Sequence, residues 1–124
     1  MKPSPVEFPQ FKDEIKRLIR KYHHLENDIS RFYQDFLNNP IQNAFAIPGY
    51  ERKLWKTRMR STDQQKGKSG GFRIIFYLDE AKPDKVYFLT IYSKSERENL
   101  SSSQLWEIYK RFIDFLKGNM KGTE

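Results

Sequence analysis

The chain has 124 residues, which suits one domain with one core, and no cysteine, which excludes disulfides, thiolate catalysis and cysteine-based zinc sites. Ten Phe, seven Tyr and two Trp supply enough ring area for a folded core despite an apolar fraction of 37%. The net charge is +7, and between Glu51 and Arg73 eight cations face two carboxylates, so +6 of it lies in one block. That focus favours a polyanionic partner, most often nucleic acid; the plainer reading is a solvated strand pair whose cations guard a sheet edge.

In chain order, MKPSPVEF has no apolar run able to act as a signal peptide, and no later stretch approaches membrane-spanning length. The expectation is a soluble cytoplasmic protein with no membrane partner, one domain over 1–124, and loose tails at 1–5 and 119–124. A short strand is possible at Val6–Phe8. Phe11, Ile15, Leu18, Ile19 and Tyr22 recur at helical spacing, and so do Leu25, Ile29, Phe32, Phe36 and Leu37, which predicts a helical hairpin. Asn38-Asn39-Pro40 ends the second helix, since proline disfavours helical geometry in the residue before it. The segment to Gly49 reads as a loop.

Three strands are predicted at Arg52–Arg60, Phe72–Leu78 and Lys85–Tyr92, with glycines at 67, 70 and 71 and Lys82-Pro83-Asp84 supplying the turns. Gly67-Lys68-Ser69 matches the end of a phosphate-binding P-loop. The earlier glycine of that motif is replaced by Thr62, and a strand follows where a helix is needed. The P-loop reading fails. Ser101 and Gln104 have capping-box spacing, Leu105, Ile108, Phe112 and Leu116 form one helical face, and Gly118 should stop that helix. The fold class is α+β, with a small, mostly antiparallel sheet.

Alternation splits the first strand into two faces. Trp55, Thr57 and Met59 suit the core, while Lys56, Arg58 and Arg60 form a row of cations about 7 Å apart. In the next strand Phe72, Ile74, Phe76 and Leu78 leave Arg73, Ile75 and Tyr77 opposite. Lys56, Arg58, Arg60 and Arg73 should therefore share the far face, with Arg73 clear of the core and Lys68 overhanging from the glycine loop.

LWKTRMR, GKSGGFRIIFYL and VYFLTIYSKSERENLS together resemble the RelE/ParE superfamily of type II toxin–antitoxin toxins, most of all the HigB-type branch. The resemblance is densest from Trp55 to Ser101. It implies a curved sheet with a helical hairpin on one face and a C-terminal helix. It also implies ribosome-dependent cleavage of messenger RNA, and a cognate antitoxin, the ribosome and mRNA as partners. No cofactor or metal is implied. The family's basic positions fall on Lys56, Arg58 and Arg60, its strand arginine on Arg73, and its basic position after the last strand near Lys94, with Arg97 close by. Some RelE members carry a tyrosine at the start of the last helix. Here that region reads Leu100-Ser101-Ser102, so the aromatic is missing, and Tyr92 is the substitute to consider.

Cleavage without metal means attack of the ribose 2′-OH on the adjacent phosphorus. Pre-aimed cations then stabilise charge on the phosphoryl oxygens. The basic block holds no histidine, so a two-histidine mechanism is unsupported. A lysine among like charges has a lowered pKa, which makes Lys56 or Lys94 the base, with Arg73 as transition-state stabiliser. Adjacent His23 and His24 cannot form a metal pair on one helix face. Trp55, Trp106 and the phenylalanines read as core, Asp79, Glu80 and Asp84 as solvated turn residues, and SERE around Arg97 as a helix start or exposed loop. The rivals are a ParE-like gyrase inhibitor on the same fold, or an RNA- or ribosome-binding module without catalysis.

Overall fold

The computed structural model describes residues 2–64 and 70–122. Its elements are β1 (Ser4–Glu7), α1 (Pro9–Leu18), α2 (Leu25–Phe36), β2 (Phe45–Ala46), β3 (Leu54–Met59), β4 (Phe72–Tyr77), β5 (Lys85–Ser93) and α3 (Ser102–Gly122). The five strands form one sheet in the order β1-β5-β4-β3-β2, antiparallel throughout except for the β1–β5 pair.

Local chemistry explains the helix boundaries. Pro9 opens α1, where a missing N–H costs nothing because first-turn donors have no helical partner. Glu26 and Asp28 in the first turn of α2 oppose the positive end of its dipole. α3 starts on a reciprocal cap. The Ser101 N–H donates to Gln104 Oε1 at 2.8 Å, and the Gln104 N–H donates to Ser101 Oγ at 3.1 Å.

Two apolar layers sandwich the sheet. α1 and α2 pack Phe11, Leu18, Leu25, Ile29 and Phe36 against Trp55, Met59, Phe72, Ile74, Phe76, Phe88 and Ile91. On the opposite face, Ile108 and Phe112 of α3 pack against Leu54, Ile75, Leu89 and Phe8. At about 2–3 kcal/mol for each fully buried large apolar side chain, these layers dominate the fold's stability. β4 is apolar on both sides, which is why FRIIFY reads as a nearly unbroken hydrophobic run. At a bulge, Ile75 pairs with Thr90 but Phe76 pairs with Phe88, so Leu89 is the extra residue.

The structure corrects two expectations about the ends of elements. α3 runs through Gly118 to Gly122, because an amphipathic helix anchored by packing absorbs the roughly 1 kcal/mol penalty of one interior glycine. The N-terminal tail is shorter than 1–5, since Ser4 and Pro5 pair with Lys85 and Val86. On the far face α3 covers the apolar half and leaves the basic half clear. Among the described residues no helix is long and apolar enough to cross a membrane.

Candidate nucleic-acid interface

Residues paired across an antiparallel ladder share a face, so the registers assemble the site. Lys56 opposes Ile75, Arg58 opposes Arg73, and Arg73 opposes Tyr92. The apolar cover of α3 includes Ile75. The next row across the sheet is Arg58, Arg73 and Tyr92.

Lys56 is half-buried, and its Nζ donates to Asn99 Oδ1 at 3.0 Å. Burial first, then the positive charges of Lys94, Arg73 and Arg58, hold its ammonium below the ordinary lysine range. Lys94, Arg73 and Arg58 thus all lie within electrostatic reach of Lys56. Lys94 sits in the turn after β5. Its N–H donates to the Gly71 carbonyl at 3.0 Å and its Nζ to the Glu98 carbonyl at 2.9 Å. The Tyr22 hydroxyl steadies that turn by donating to Glu96 Oε2 at 2.8 Å.

Arg73 departs from expectation. It is only 5% exposed, and its Nη1 donates to the carbonyls of Gly70 and Phe72 at 3.3 and 3.4 Å. Burial and the neighbouring Arg58 disfavour its charged form, while Tyr92 favours it. It lies under the cluster rather than on it. Arg58 is exposed, and neither arginine has an ion-pair partner among the described residues.

Gly71 lets the loop meet β3. Its φ is +81°, and a Cβ there would stand 2.6 Å from the Met59 carbonyl oxygen. Gln64 brackets the same residue, accepting from the Gly71 N–H at 3.3 Å.

Against known structures, the chain is similar to a double arginine-to-alanine mutant of the E. coli toxin RelE solved in the free state. The TM-score is 0.55 at 15% identity, over 90% of this chain and 98% of that one. The fold is RelE-like. At that identity the likeness concerns architecture, which among the described residues comprises three helices and a five-stranded, mostly antiparallel open sheet. No family model matches the chain.

Within this RelE-like frame the sequence-predicted residues separate. Lys56, Arg58, Arg73 and Lys94 come together. Arg60 lies past the end of β3, exposed, and lines a cavity of about 440 Å³ with Asp28, Phe32 and Phe36 on the α2 side. The expected strand row therefore ends one cation early, because pairing stops at Met59. Arg97 is exposed and joins Tyr92 in a cavity of about 520 Å³ between α1, β5 and α3. The Tyr92 hydroxyl is buried with no hydrogen-bond partner among the described residues. Burial pushes its pKa up, with Arg73 and Arg97 pulling against that. Lys68 lies outside the described residues.

The remaining side chains are placed as follows. Trp106, expected in the core, is 50% exposed and stacks on Tyr109. His24 pairs with Asp63 at 2.7 Å, and Glu80 with Arg52 at 3.1 Å. Among the described residues no group of three metal-binding side chains converges. Sequence reasoning missed Asn99, which fixes Lys56. Its place in the YSKSERENL segment was the available signal.

Proposed function

We propose that this chain is the toxin of a type II toxin–antitoxin pair, of the HigB-type branch. Its activity is metal-independent, ribosome-dependent cleavage of messenger RNA in the cytoplasm, and a cognate antitoxin neutralises it. The observation that carries this reading is the convergence of Lys56, Arg58, Arg73 and Lys94 beside the uncovered end of the sheet, with one of the two lysines shifted toward its neutral form. A surface that only sheds water has no use for four mutually repelling cations, one of them buried. A surface that grips a phosphodiester does.

The proposed chemistry uses each of these residues in turn. Neutral Lys56 accepts the 2′-OH proton as the 2′-oxygen bonds to phosphorus. The phosphorus–O5′ bond breaks, and O5′ takes a proton from the Lys94 ammonium, leaving a 2′,3′-cyclic phosphate. Exposed Arg58 meets the phosphoryl oxygens, and buried Arg73 adds its fixed charge from below, which acts strongly because it needs no reorganisation. Arg60 and Arg97 flank the site as weaker backbone contacts. The ribosome would supply the substrate positioning that so open a site lacks.

Primer extension on cellular messages after induction tests this reading. In-frame cuts within translated regions are the expected result. Intact messages with broken chromosomal DNA would replace it with gyrase inhibition. Intact messages on ribosomes carrying the bound chain would leave only a binding module.

A further inference from the structure

Phe45 is 69% exposed, more than any other large apolar side chain among the described residues. Its neighbours show which way it points. Ala44 and Ala46 pack on the α1–α2 core, whereas Ile47 joins the layer under α3. Phe45 therefore projects on the α3 side, yet that helix does not cover it. In the β2–β3 ladder it pairs directly with Lys56. Such partners hold their Cβ atoms about 4.5–5.5 Å apart on one face. The ring thus stands at the sheet margin beside the lysine that feels Arg58, Arg73 and Lys94.

A phenylalanine in water contributes little to the fold and offers no hydrogen bond. What it presents is a flat apolar face next to a cluster of positive charge. Unpaired RNA offers the matching pair, a flat base and a phosphate on every residue. A duplex does not, because its bases are already stacked. We infer that Phe45 is a stacking platform for one unpaired base of the RNA strand whose phosphates lie on Lys56 and Arg58. This rests on the proposed function and names a positioning contact that the cation cluster alone does not supply.

The experiment compares wild type, Phe45→Ala, Phe45→Leu and Phe45→Trp for binding of a short fluorescent single-stranded RNA at low salt, with Arg58→Ala as control. A parallel oligonucleotide series carries one abasic residue at each position in turn. Phe45→Ala and Phe45→Leu should weaken binding about tenfold, and Phe45→Trp should match or exceed wild type. Melting temperatures should not change, since the ring is outside both cores. One abasic position should weaken wild type but not Phe45→Ala. Full affinity in Phe45→Leu would overturn the inference and point to an apolar side chain of a protein partner instead. Full affinity in Phe45→Ala, with Arg58→Ala weakened, would overturn the stacking role and leave the interface standing. Full affinity in Arg58→Ala would remove the interface and this inference with it.

Discussion

Arg58 and Arg73 stand directly opposite each other across the β3–β4 ladder, and no carboxylate pairs with either among the described residues. Like charges in that position destabilise a sheet. The two are not equivalent, since Arg58 reaches solvent while Arg73 is buried and bonded to two carbonyls. Arg58→Ala should leave stability unchanged or raise it by up to about 0.5 kcal/mol. It should also cut cleavage on programmed ribosomes by about a hundredfold or more. Arg73→Ala should cost about 1–3 kcal/mol, because buried carbonyls lose their donor. Urea midpoints measured alongside cleavage rates check both, and a destabilised Arg58→Ala would contradict the repulsion argument.

Under the proposed mechanism Lys56 should make cleavage pH-dependent. Its folded pKa lies below the ordinary 10.5, so between those two values the unfolded chain holds more protons than the folded one. The sign is positive: stability rises with pH in that window, and the penalty is fully present below the folded value. Cleavage should also rise with pH through the folded value, as neutral amine accumulates. Lys56→Arg keeps the charge but cannot give up its proton. It should retain ribosome binding and lose both the cleavage and the pH-dependent limb. A pH–rate profile of the two proteins decides it.

Gly71→Ala should damage fold and site together. The added methyl meets the Met59 carbonyl oxygen at 2.6 Å, on a backbone already at φ +81°. A cost of about 2–4 kcal/mol is expected. The Lys94 turn should loosen as well, because the Gly71 carbonyl accepts its N–H. Thermal melts and amide exchange at Lys94 would show the two effects separately.

Asp28 ties the far end of the glycine-loop segment to α2. Its buried carboxylate accepts from the Thr62 N–H at 2.9 Å, the Thr62 hydroxyl, and Arg31 at 2.8 Å. Asp28→Ala removes three acceptor contacts and should cost about 2–4 kcal/mol. Ribosome affinity should fall much less than in Arg58→Ala. Equal losses of affinity would mean that the α2 side also grips the ribosome.

Much of this architecture was legible because periodicity is a local property. The spacing of Phe11 to Tyr22, the alternation around Trp55 and the Ser101–Gln104 cap each declare themselves within a few residues. Phe45–Ala46 did not, since two residues are too few to show a period. The cations at Lys56, Arg58 and Arg73 could be assigned to one face, but not to a depth. Arg73 is buried by partners distant in sequence, and Lys94, which the resemblance alone had put at the site, presses on Lys56 from the turn after β5. Arg60 was misjudged for a related reason, since alternation continues in a sequence past the point where strand pairing stops.

The parallel pairing of β1 with β5 sets an order of assembly. Ser4 finds its partner only at Lys85, and Glu7 only at Phe88. During synthesis the first strand waits, unpaired, until more than eighty further residues have been made. Closure over so long a loop is slow and comes late. The turn holding Lys94 follows the same strand, so the cation cluster is completed at nearly the moment the sheet closes. No nascent chain that stops short of β5 can therefore bring Lys56, Arg58, Arg73 and Lys94 together, however much of β3 and β4 it already holds.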